Sequence, residues 1–385
     1  MRVVMFLGRS TGGIGTHVAQ LRADLRGHGV DVLVVTHPLT AEHFDLGPVR
    51  LCWPGSGGVV QTLRDFSLLR HLFSGSDIVH AHGHQAGLLA TLATRSLPRH
   101  RASRRRAPRL VVSQHNAVLA GSGRQRAKRA TQRWVARHAD LVSGASSDLV
   151  GQALAFGAVR AELAEVPSPR VPALLAQEPA DQDARARIRR LLLSSIVGVP
   201  GVPGVPMDPE APLIVTISRI AAQKSLPMLV RAASKARQAG TWVVLGDGDQ
   251  QLLDQLRRQA GALASPIHFV GARAEVDQWL RAAEVFVLPS EWEARALVVQ
   301  EAMAAGTPVV ASDVGGLHDL IAGTGLLVPP GDPDAIASAT DRVLSDPVLR
   351  EDLVTRGREA AKALPDGSDT AARWLEWYSQ TLLMT

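Results

Sequence analysis

Short, unbroken apolar runs, each followed by a stretch of helical periodicity, recur along this chain in two separate series. Arg2-Val3-Val4-Met5-Phe6-Leu7 stops at a glycine, passes through Gly12-Gly13-Ile14-Gly15, and enters a helical pattern from Thr16 to Arg26. An apolar run without polar alternation reads as a strand covered on both faces. Val30 to Val35, Asp77 to His82, Leu110 to His115 and Leu141 to Ser143 continue the series, with a helix from about Gln85 to Arg95. Strand then helix, repeated, predicts parallel pairing and a doubly wound α/β sheet. Such sheets bind ligands outside the carboxyl ends of their strands. Gly12 to Gly15, His82 and His115 fall at those ends.

The second series has strands at Leu213 to Ile217, Thr241 to Leu245, Ile267 to Gly271, Val285 to Leu288 and Thr307 to Ala311. Helices are expected from Leu226 to Gln238 and from Leu297 to Ala305. Between the series, residues 171–212 break the rhythm with Pro172 and Pro179, a charged helical piece from Asp183 to Leu193, and three Gly-Val-Pro repeats from Gly198 to Pro206. Proline fixes φ and removes a donor, so this stretch reads as a linker or insertion. The expected layout is a first α/β domain over 1–170, the linker or insertion over 171–212, and a second α/β domain over 213–370. A terminal helix over 371–385, carrying Trp374, Trp377 and Tyr378, crosses back to the first domain. Two similar layers are expected to face each other across a cleft.

Composition narrows the function classes. Of 385 residues, 46% are hydrophobic and 20% charged, which excludes wholesale disorder. The single cysteine, Cys52, excludes a disulfide framework and a cysteine-rich zinc site. No apolar run approaches the ~18 residues of a bilayer span. Met1 to Gly8 lacks the features of a signal peptide, so a soluble cytoplasmic protein is expected. Charge is unevenly spread. Residues 1–170 carry 22 Lys and Arg against 10 Asp and Glu, and the remainder carries 20 against 26. A basic half suits an anionic partner: a phosphorylated substrate, an anionic lipid surface or nucleic acid. Only 4 of the 42 basic residues are lysine, so a general preference for arginine also contributes. Aromatics make up 4% and do not interleave the basic runs, so no nucleic-acid partner is expected. Arg99 to Arg109 carries six arginines. Arg124, Arg126, Lys128, Arg129, Arg133 and Arg137 surround Trp134 and Val135. A basic, partly amphipathic helix there could rest on the inner face of an anionic membrane, against the simpler reading of a solvated charged face.

The most informative segment runs from Pro289 to Val310. A strand ends at Pro289, small residues follow Glu293, and a helix starts near Leu297. Free N–H groups at a helix start, here around Ala296 and Leu297, suit phosphate or sugar oxygens. Glu301 falls one turn into that helix, where a carboxylate accepts from two vicinal hydroxyls such as those of a ribose. Glu293, just before the helix, is placed to hold a sugar hydroxyl.

With these residues in place, the chain resembles the GT-B-fold retaining glycosyltransferases of family 4. Two glutamates separated by seven residues, here Glu293 and Glu301, are their hallmark. Thr216-Ile217-Ser218-Arg219-Ile220 followed by Lys224 looks like the family's Arg and Lys that hold the donor pyrophosphate. Leu245-Gly246-Asp247-Gly248, Phe269-Val270-Gly271 and Asp313-Val314-Gly315-Gly316 match further family segments. In the first half, the loop with Gly13 and Gly15 resembles the glycine loop under the donor. The likeness covers most of the chain except 171–212.

The resemblance implies transfer of a sugar from a nucleotide diphosphate sugar to an acceptor hydroxyl, with retention at the anomeric carbon. The acceptor would be lipid-linked or a small molecule. Donor-binding residues would be Gly13, Gly15, Arg219, Lys224, Gly246, Gly271, Glu293, Ala296, Leu297 and Glu301. The catalytic group would be Glu293, Arg219, Lys224 and His115, with His115 touching the donor sugar or its phosphate. The family analogy further implies same-face attack assisted by the departing phosphate. Arg219, Lys224 and the helix start would carry the leaving-group charge, so no metal and no cofactor beyond the nucleotide sugar are expected. His80, His82 and His84 lie close together, but strand alternation alone accounts for that, and no carboxylate or cysteine accompanies them.

The chain also departs from the family pattern. Ala294 and Ala296 stand where glycines are common, Ser218 and Ser225 replace the glycines flanking the phosphate loop, and Pro167-Ser168-Pro169 replaces Pro-Asn-Gly. Alanine allows a close backbone approach only where φ stays negative. A catalytically weakened sugar-nucleotide-binding protein and a nucleotide-sugar epimerase of the same fold are therefore kept as alternatives. A nicotinamide dehydrogenase fits poorly, because Val18 stands where its loop needs a third glycine.

Overall fold

The apolar runs form two all-parallel sheets in a computed structural model that describes residues 1–10, 12–55, 57–97, 107–116, 123–196 and 207–384. The Gly-Val-Pro run from Gly198 to Pro206 and all but the last three residues of the basic run from Arg99 to Arg109 lie outside the described residues. Two compact units divide the chain: Met1–Pro167 with Pro365–Thr385, and Ser168–Leu364.

The first unit runs β1 (Arg2–Leu7), α1 (Gly13–Gly27), β2 (Asp31–Thr36), α2 (Pro38–His43), β3 (Val49–Leu51), α3 (Val59–Ser74), β4 (Ile78–His82), α4 (His84–Arg95), β5 (Arg109–Gln114), α5 (Gly123–Ala136), β6 (Leu141–Gly144), α6 (Ser147–Ala155) and β7 (Ala161–Leu163). Its sheet has the order β3-β2-β1-β4-β5-β6-β7. The second unit opens with α7 (Val171–Leu175) and α8 (Gln182–Ser195). It continues with β8 (Leu213–Ile217), α9 (Leu226–Lys235), β9 (Thr241–Leu245), α10 (Gln250–Ala262), β10 (Ile267–Gly271), α11 (Val276–Ala282), β11 (Val285–Leu288), α12 (Leu297–Ala305), β12 (Val309–Ser312), α13 (Gly315–Ile321), β13 (Leu326–Val328), α14 (Pro333–Ser345) and α15 (Pro347–Lys362). Its sheet has the order β10-β9-β8-β11-β12-β13. The last helix, α16 (Gly367–Leu383), belongs to the first unit.

Alternate side chains of each strand feed different cores. Val4 and Phe6 of β1 pack with Phe73, Ala90 and Val135, whereas Val3, Met5 and Leu7 pack with Leu21, Trp374 and Tyr378 on the opposite face. In the second unit, Ile214 packs with Leu229, Trp242 and Val343, while Leu213 and Val215 pack with Leu192 and Trp279. Both faces are therefore covered, as the unbroken apolar runs require. The aromatics of α16 serve this packing. Trp374 and Tyr378 are buried in the first unit's core, and the Tyr378 hydroxyl lies 2.6 Å from His80 Nδ1.

Two expectations change. The stretch 171–212 is not simply a linker. Val171 and Leu174 of α7 join a core with Phe286 and Met303, and Leu192 and Leu193 of α8 join one with Trp279. The charged look of α8 is misleading because one of its arginines is an anchor. Arg189 is buried, with Nη1 donating to Glu284 Oε1 at 2.9 Å and Nε to the Pro209 carbonyl at 2.7 Å. Glu284 in turn accepts from the Leu213 amide at 2.5 Å, so α8 is tied to the starts of β8 and β11. The second change concerns Trp134 and Val135. Val135 is a core residue and Trp134 packs half-buried against the same core, so neither is an exposed lipid anchor. Arg126, Lys128, Arg129, Arg133 and Arg137 form the exposed side of that helical stretch, and the Arg124 side chain lies outside the described residues. No helix among the described residues is long and apolar enough to cross a membrane.

Candidate functional site

In each sheet the strand order reverses direction once, between β1 and β4 and between β8 and β11. Connections leave such a pair of strands toward opposite sides, opening a crevice at their carboxyl ends. In the second unit the two loops at that crevice are 218–225 after β8 and 289–296 after β11. These are the loops that carry Arg219, Lys224 and Glu293.

The loops are joined by a polar network centred on Glu293. Its carboxylate is 8% exposed, and Oε1 pairs with Lys224 Nζ and accepts from Ser290 Oγ at 2.7 Å. Gln223 Nε2 donates to the Trp292 carbonyl at 2.6 Å, and the Glu291 amide donates to the Gln223 carbonyl at 2.9 Å. The Gly316 amide donates to the Glu293 carbonyl at 2.9 Å. Beside it, Gly315 has φ of +46°, and a Cβ there would meet that carbonyl at 2.3 Å, so only glycine fits. Both donors to the Glu293 carboxylate reach Oε1, and Oε2 is left as the acceptor without a partner among the described residues.

Lys224 and Arg219 occupy different surroundings. Lys224 is largely covered by its partner, whereas Arg219 is exposed and has no ion-pair partner among the described residues. Gly246 and Gly271 act beneath this loop. With φ of +137°, Gly246 lies so close to the Ser218 carbonyl that a Cβ would meet it at 2.0 Å, and its amide donates to the Gly271 carbonyl at 2.9 Å. Gly246 therefore allows the close approach of the Ser218 carbonyl, and Gly271 holds Gly246 through its own carbonyl.

Helix α12 begins at Leu297 with Ala296 as its cap, and neither an acidic residue in its first turn nor a capping side chain occupies its free N–H groups. Ala296 has φ of −76°, and the positive-φ residues other than glycine among those described are Ser225 and Ala264. Ala294 and Ala296 thus keep the backbone approach without strain. Ser225 does not, because its φ and ψ of 50° and 34° are left-handed. Glu301, one turn along α12, is 7% exposed. Its Oε1 accepts from Ser168 Oγ at 2.6 Å, and Oε2 lies 3.6 Å from Arg170 Nη1. Burial pushes the Glu301 carboxyl above its usual range, and the Ser168 and Arg170 contacts only partly oppose it. Ser168 also donates its amide to Gln300 Oε1 at 3.0 Å. Ser168 and Ser290 were not among the expected site residues. Ser168 occurs in the departing Pro-Ser-Pro, where the family pattern has asparagine, and that polar position was its only signal.

The remaining expected residues lie in the first unit. Gly13 starts α1 in open space, while a Cβ on Gly15 would strike the Phe44 ring at 2.2 Å, so Gly15 is a packing glycine. His115 follows β5 and is half-buried, with Nε2 3.3 Å from His82 Nδ1. His17 of α1, which was not expected, completes the group: its ring centroid lies 5.6 Å from that of His115 and 5.9 Å from that of His82. Burial lowers His115 to about 3 and His17 to about 4, and His82 falls well below its usual value for the same reason. All three are neutral near pH 7. His115 therefore carries no positive charge there.

Two family models match the chain. Residues 211–346 match the glycosyl transferases group 1, and residues 12–169 match the glycosyl transferase 4-like domain. The chain belongs to the glycosyl transferases group 1. A D-inositol 3-phosphate glycosyltransferase of Kineococcus radiotolerans is 29% identical over 96% of this chain and 91% of its own length. An uncharacterized glycosyltransferase of Methanocaldococcus jannaschii is 37% identical over 38% of this chain, and the match spans 39% of that protein. The fold of Anabaena HepE, solved in complex with UDP, superposes with a TM-score of 0.79 at 19% identity, covering 98% of this chain and 99% of that one. This glycosyltransferase therefore has the two doubly wound units of the GT-B architecture.

Two outcomes follow from the loop geometry. In Ser225→Gly, relief of a left-handed non-glycine residue is worth about 1–2 kcal/mol. The added freedom of the unfolded glycine takes back about 0.4–1 kcal/mol. The variant should therefore unfold later in denaturant by roughly 0.5–1 kcal/mol, and an earlier midpoint would contradict the strain. Arg219→Ala should leave the melting temperature unchanged. Lys224→Ala strands the Glu293 carboxylate and should destabilise the fold by about 3–5 kcal/mol. Thermal melts of the two variants side by side separate these cases.

Proposed function

We propose that this glycosyltransferase moves a sugar, with retention, from a nucleotide diphosphate sugar bound on the second unit to an acceptor hydroxyl. The observation that carries the reading is the joining of the β8 and β11 loops by the Lys224–Glu293 pair, with Arg219 exposed on the first loop and the uncapped start of α12, Glu301 one turn along it, following the second. Each group suits one part of the donor. The two Glu301 oxygens, already held by Ser168 and Arg170, would take the ribose hydroxyls. Arg219 and the first N–H groups of α12 would take the pyrophosphate, with Lys224 adding positive charge between it and Glu293. The unpartnered Oε2 of Glu293 would accept from a hydroxyl of the transferred sugar.

Departure of the nucleoside diphosphate builds negative charge on its terminal oxygens. Preorganised cations and amides stabilise that charge most when they need not reorganise during the step. The acceptor oxygen would attack the anomeric carbon on the face from which the phosphate leaves. The new carbon–oxygen bond forms as the bond to phosphate breaks, and the hydroxyl proton passes to the departing phosphate. His115, as a neutral imidazole, would hydrogen-bond the donor sugar or its phosphate. No divalent ion has a required part in this scheme. Peripheral association with an anionic membrane, if it accompanies the reaction, would rest on charge, since Trp134 and Val135 pack inward.

Three measurements test the reading. Turnover of a panel of sugar nucleotides should survive EDTA, and NMR of the product should give the donor's anomeric configuration. Complete loss restored by Mg²⁺, or an inverted product, would sink it. Glu301→Ala should weaken binding of the cognate nucleoside diphosphate by about 1.5–3 kcal/mol in calorimetry, and an unchanged dissociation constant would remove the ribose assignment. For the membrane, each basic residue near an anionic surface is worth about 1 kcal/mol. Co-sedimentation with anionic vesicles should therefore appear at low salt and vanish at high salt. Equal, negligible binding to anionic and neutral vesicles would make the arginines plain surface charge.

A further inference from the structure

Ser168 opens the second unit, between Pro167 and Pro169 in the sequence. Neither proline has an N–H to give, and Pro169 confines Ser168 to extended backbone. This stiff segment holds a buried serine, 2% exposed, against α12. The Ser168 amide donates to Gln300 Oε1 at 3.0 Å, and its hydroxyl donates to Glu301 Oε1 at 2.6 Å. The Arg170 amide donates to that same hydroxyl at 3.3 Å. The hydroxyl proton is thus committed to the carboxylate, in a short charge-assisted bond. Arg170 adds a charge. Its Nη1 lies 3.6 Å from Glu301 Oε2, beyond a normal hydrogen bond, on a half-exposed side chain. One carboxylate oxygen is therefore aimed, and the other faces a cation that does not cap it.

These tethers act on a group whose charge burial disfavours. Burial raises the Glu301 carboxyl above its usual range, while the Ser168 hydrogen bond and the Arg170 charge oppose the rise. The elements packed on α12 are α7, α11, α15 and β12. Helix α7 and strand β12 carry no titratable side chain, and α11 carries Asp277 and Arg281. The α15 guanidinium that reaches α12, Arg358, donates to the Ala304 carbonyl. Of the charged groups on these elements and on the 168–170 segment, Arg170 is the one that acts on Glu301 among the described residues.

A carboxylate that accepts from two vicinal hydroxyls must be ionised, because a protonated carboxyl gives up its charge and turns part of its acceptor capacity into a donor. From the two tethers that converge on one carboxylate, we infer that Ser168 and Arg170 are positioning residues for the donor, Ser168 aiming Glu301 Oε1 and Arg170 supporting its charge, and that they set the pH range over which this enzyme selects ribose. The inference rests on the reading of Glu301 as the ribose acceptor and names the residues on which that role depends. As pH falls through the raised value of the carboxyl, Glu301 takes up a proton and the preference for ribose is lost. Removing the Ser168 hydroxyl or the Arg170 guanidinium removes an influence that holds the carboxyl down, so the loss moves to higher pH.

Calorimetry on the full chain with UDP, GDP, ADP and CDP, each beside its 2′-deoxy counterpart, tests it. The two forms of one nucleotide carry the same phosphates, so the ratio of their dissociation constants cancels phosphate titration and reports the ribose hydroxyl. For a nucleotide that binds, the ribo form should bind roughly tenfold tighter than the deoxy form above neutral pH, about 1.4 kcal/mol, and the advantage should fade on acidification. Glu301→Gln should flatten this profile. In Ser168→Ala and Arg170→Gln the midpoint of the fade should rise by roughly half a pH unit or more. Ser168→Thr and Arg170→Lys, which keep the hydroxyl and the charge, should restore the wild-type midpoint. A merely structural role would weaken both forms alike at every pH. Melting temperatures across the pH range serve as the fold control, and if Ser168→Ala melts early, Arg170→Gln on its half-exposed side chain decides the matter. An unchanged midpoint in well-folded Ser168→Ala and Arg170→Gln, or a ribo preference that no pH alters, overturns the inference and leaves the ribose assignment standing. Equal binding of both forms by the wild type at every pH removes the ribose assignment and the inference with it. No binding of any nucleoside diphosphate removes the donor reading as a whole.

Discussion

Parallel pairing is the constraint from which the sites follow. A parallel strand cannot return by a tight turn, so each connection must cross a face of the sheet, and the crossing helices bury both faces. In such sheets ligands bind at the loops that follow the carboxyl ends of the strands. Where the strand order reverses, at β1/β4 and at β8/β11, neighbouring connections diverge and leave a crevice. Chemistry in each unit collects there: Arg219, Lys224 and Glu293 in one, and Arg9, His82 and His84 around a cavity of the other.

Within the second unit, Glu293 joins elements distant in sequence. Its side chain ties the β11 loop to Lys224, and its carbonyl ties that loop to Gly316 at the start of α13. A carboxylate this buried is tolerated only when paired and hydrogen-bonded, so one residue serves both the shape of the loop and its chemistry. Glu301 is different. Its carboxyl is pushed upward by burial, with one serine and one half-exposed arginine to offset it. Carboxyl groups displaced in this way cluster at functional sites.

The first unit gathers its chemistry by packing rather than by ion pairs. His17, His82 and His115 come from α1, β4 and the loop after β5, and burial holds all three neutral. Ser113 links His80 to Ser143 through contacts of 2.7 Å each, which carries a polar thread through the middle of an otherwise apolar sheet. The aromatic side chains of α16 close one end of it at Tyr378.

Local pattern by itself determined much of this protein. Unbroken apolar runs specify doubly covered parallel strands, and ten strands were legible for that reason. The short edge strands Val49–Leu51, Ala161–Leu163 and Leu326–Val328 were not, because three residues, most of them half-buried or exposed, are too few to carry such a pattern. The start of α12 at Leu297 was legible too, since the small residues before it and the apolar residues within it mark a boundary. The spacing of Glu293 and Glu301 was visible in the same way. What the sequence left to the tertiary structure depends on contacts between residues far apart in the chain. Ser168 reaches Glu301 across 133 positions, and Lys224 reaches Glu293 across 69. The charged residues of α8 suggested solvent, yet Arg189 is a buried anchor because Glu284 and the Pro209 carbonyl come to meet it. Glycine in a sequence permits a left-handed turn, but only the folded loop reveals that Ser225 adopts one without being glycine. Periodicity is a property of neighbours along the chain, and it specifies layers. Partnership between distant polar groups arises only once those layers are stacked.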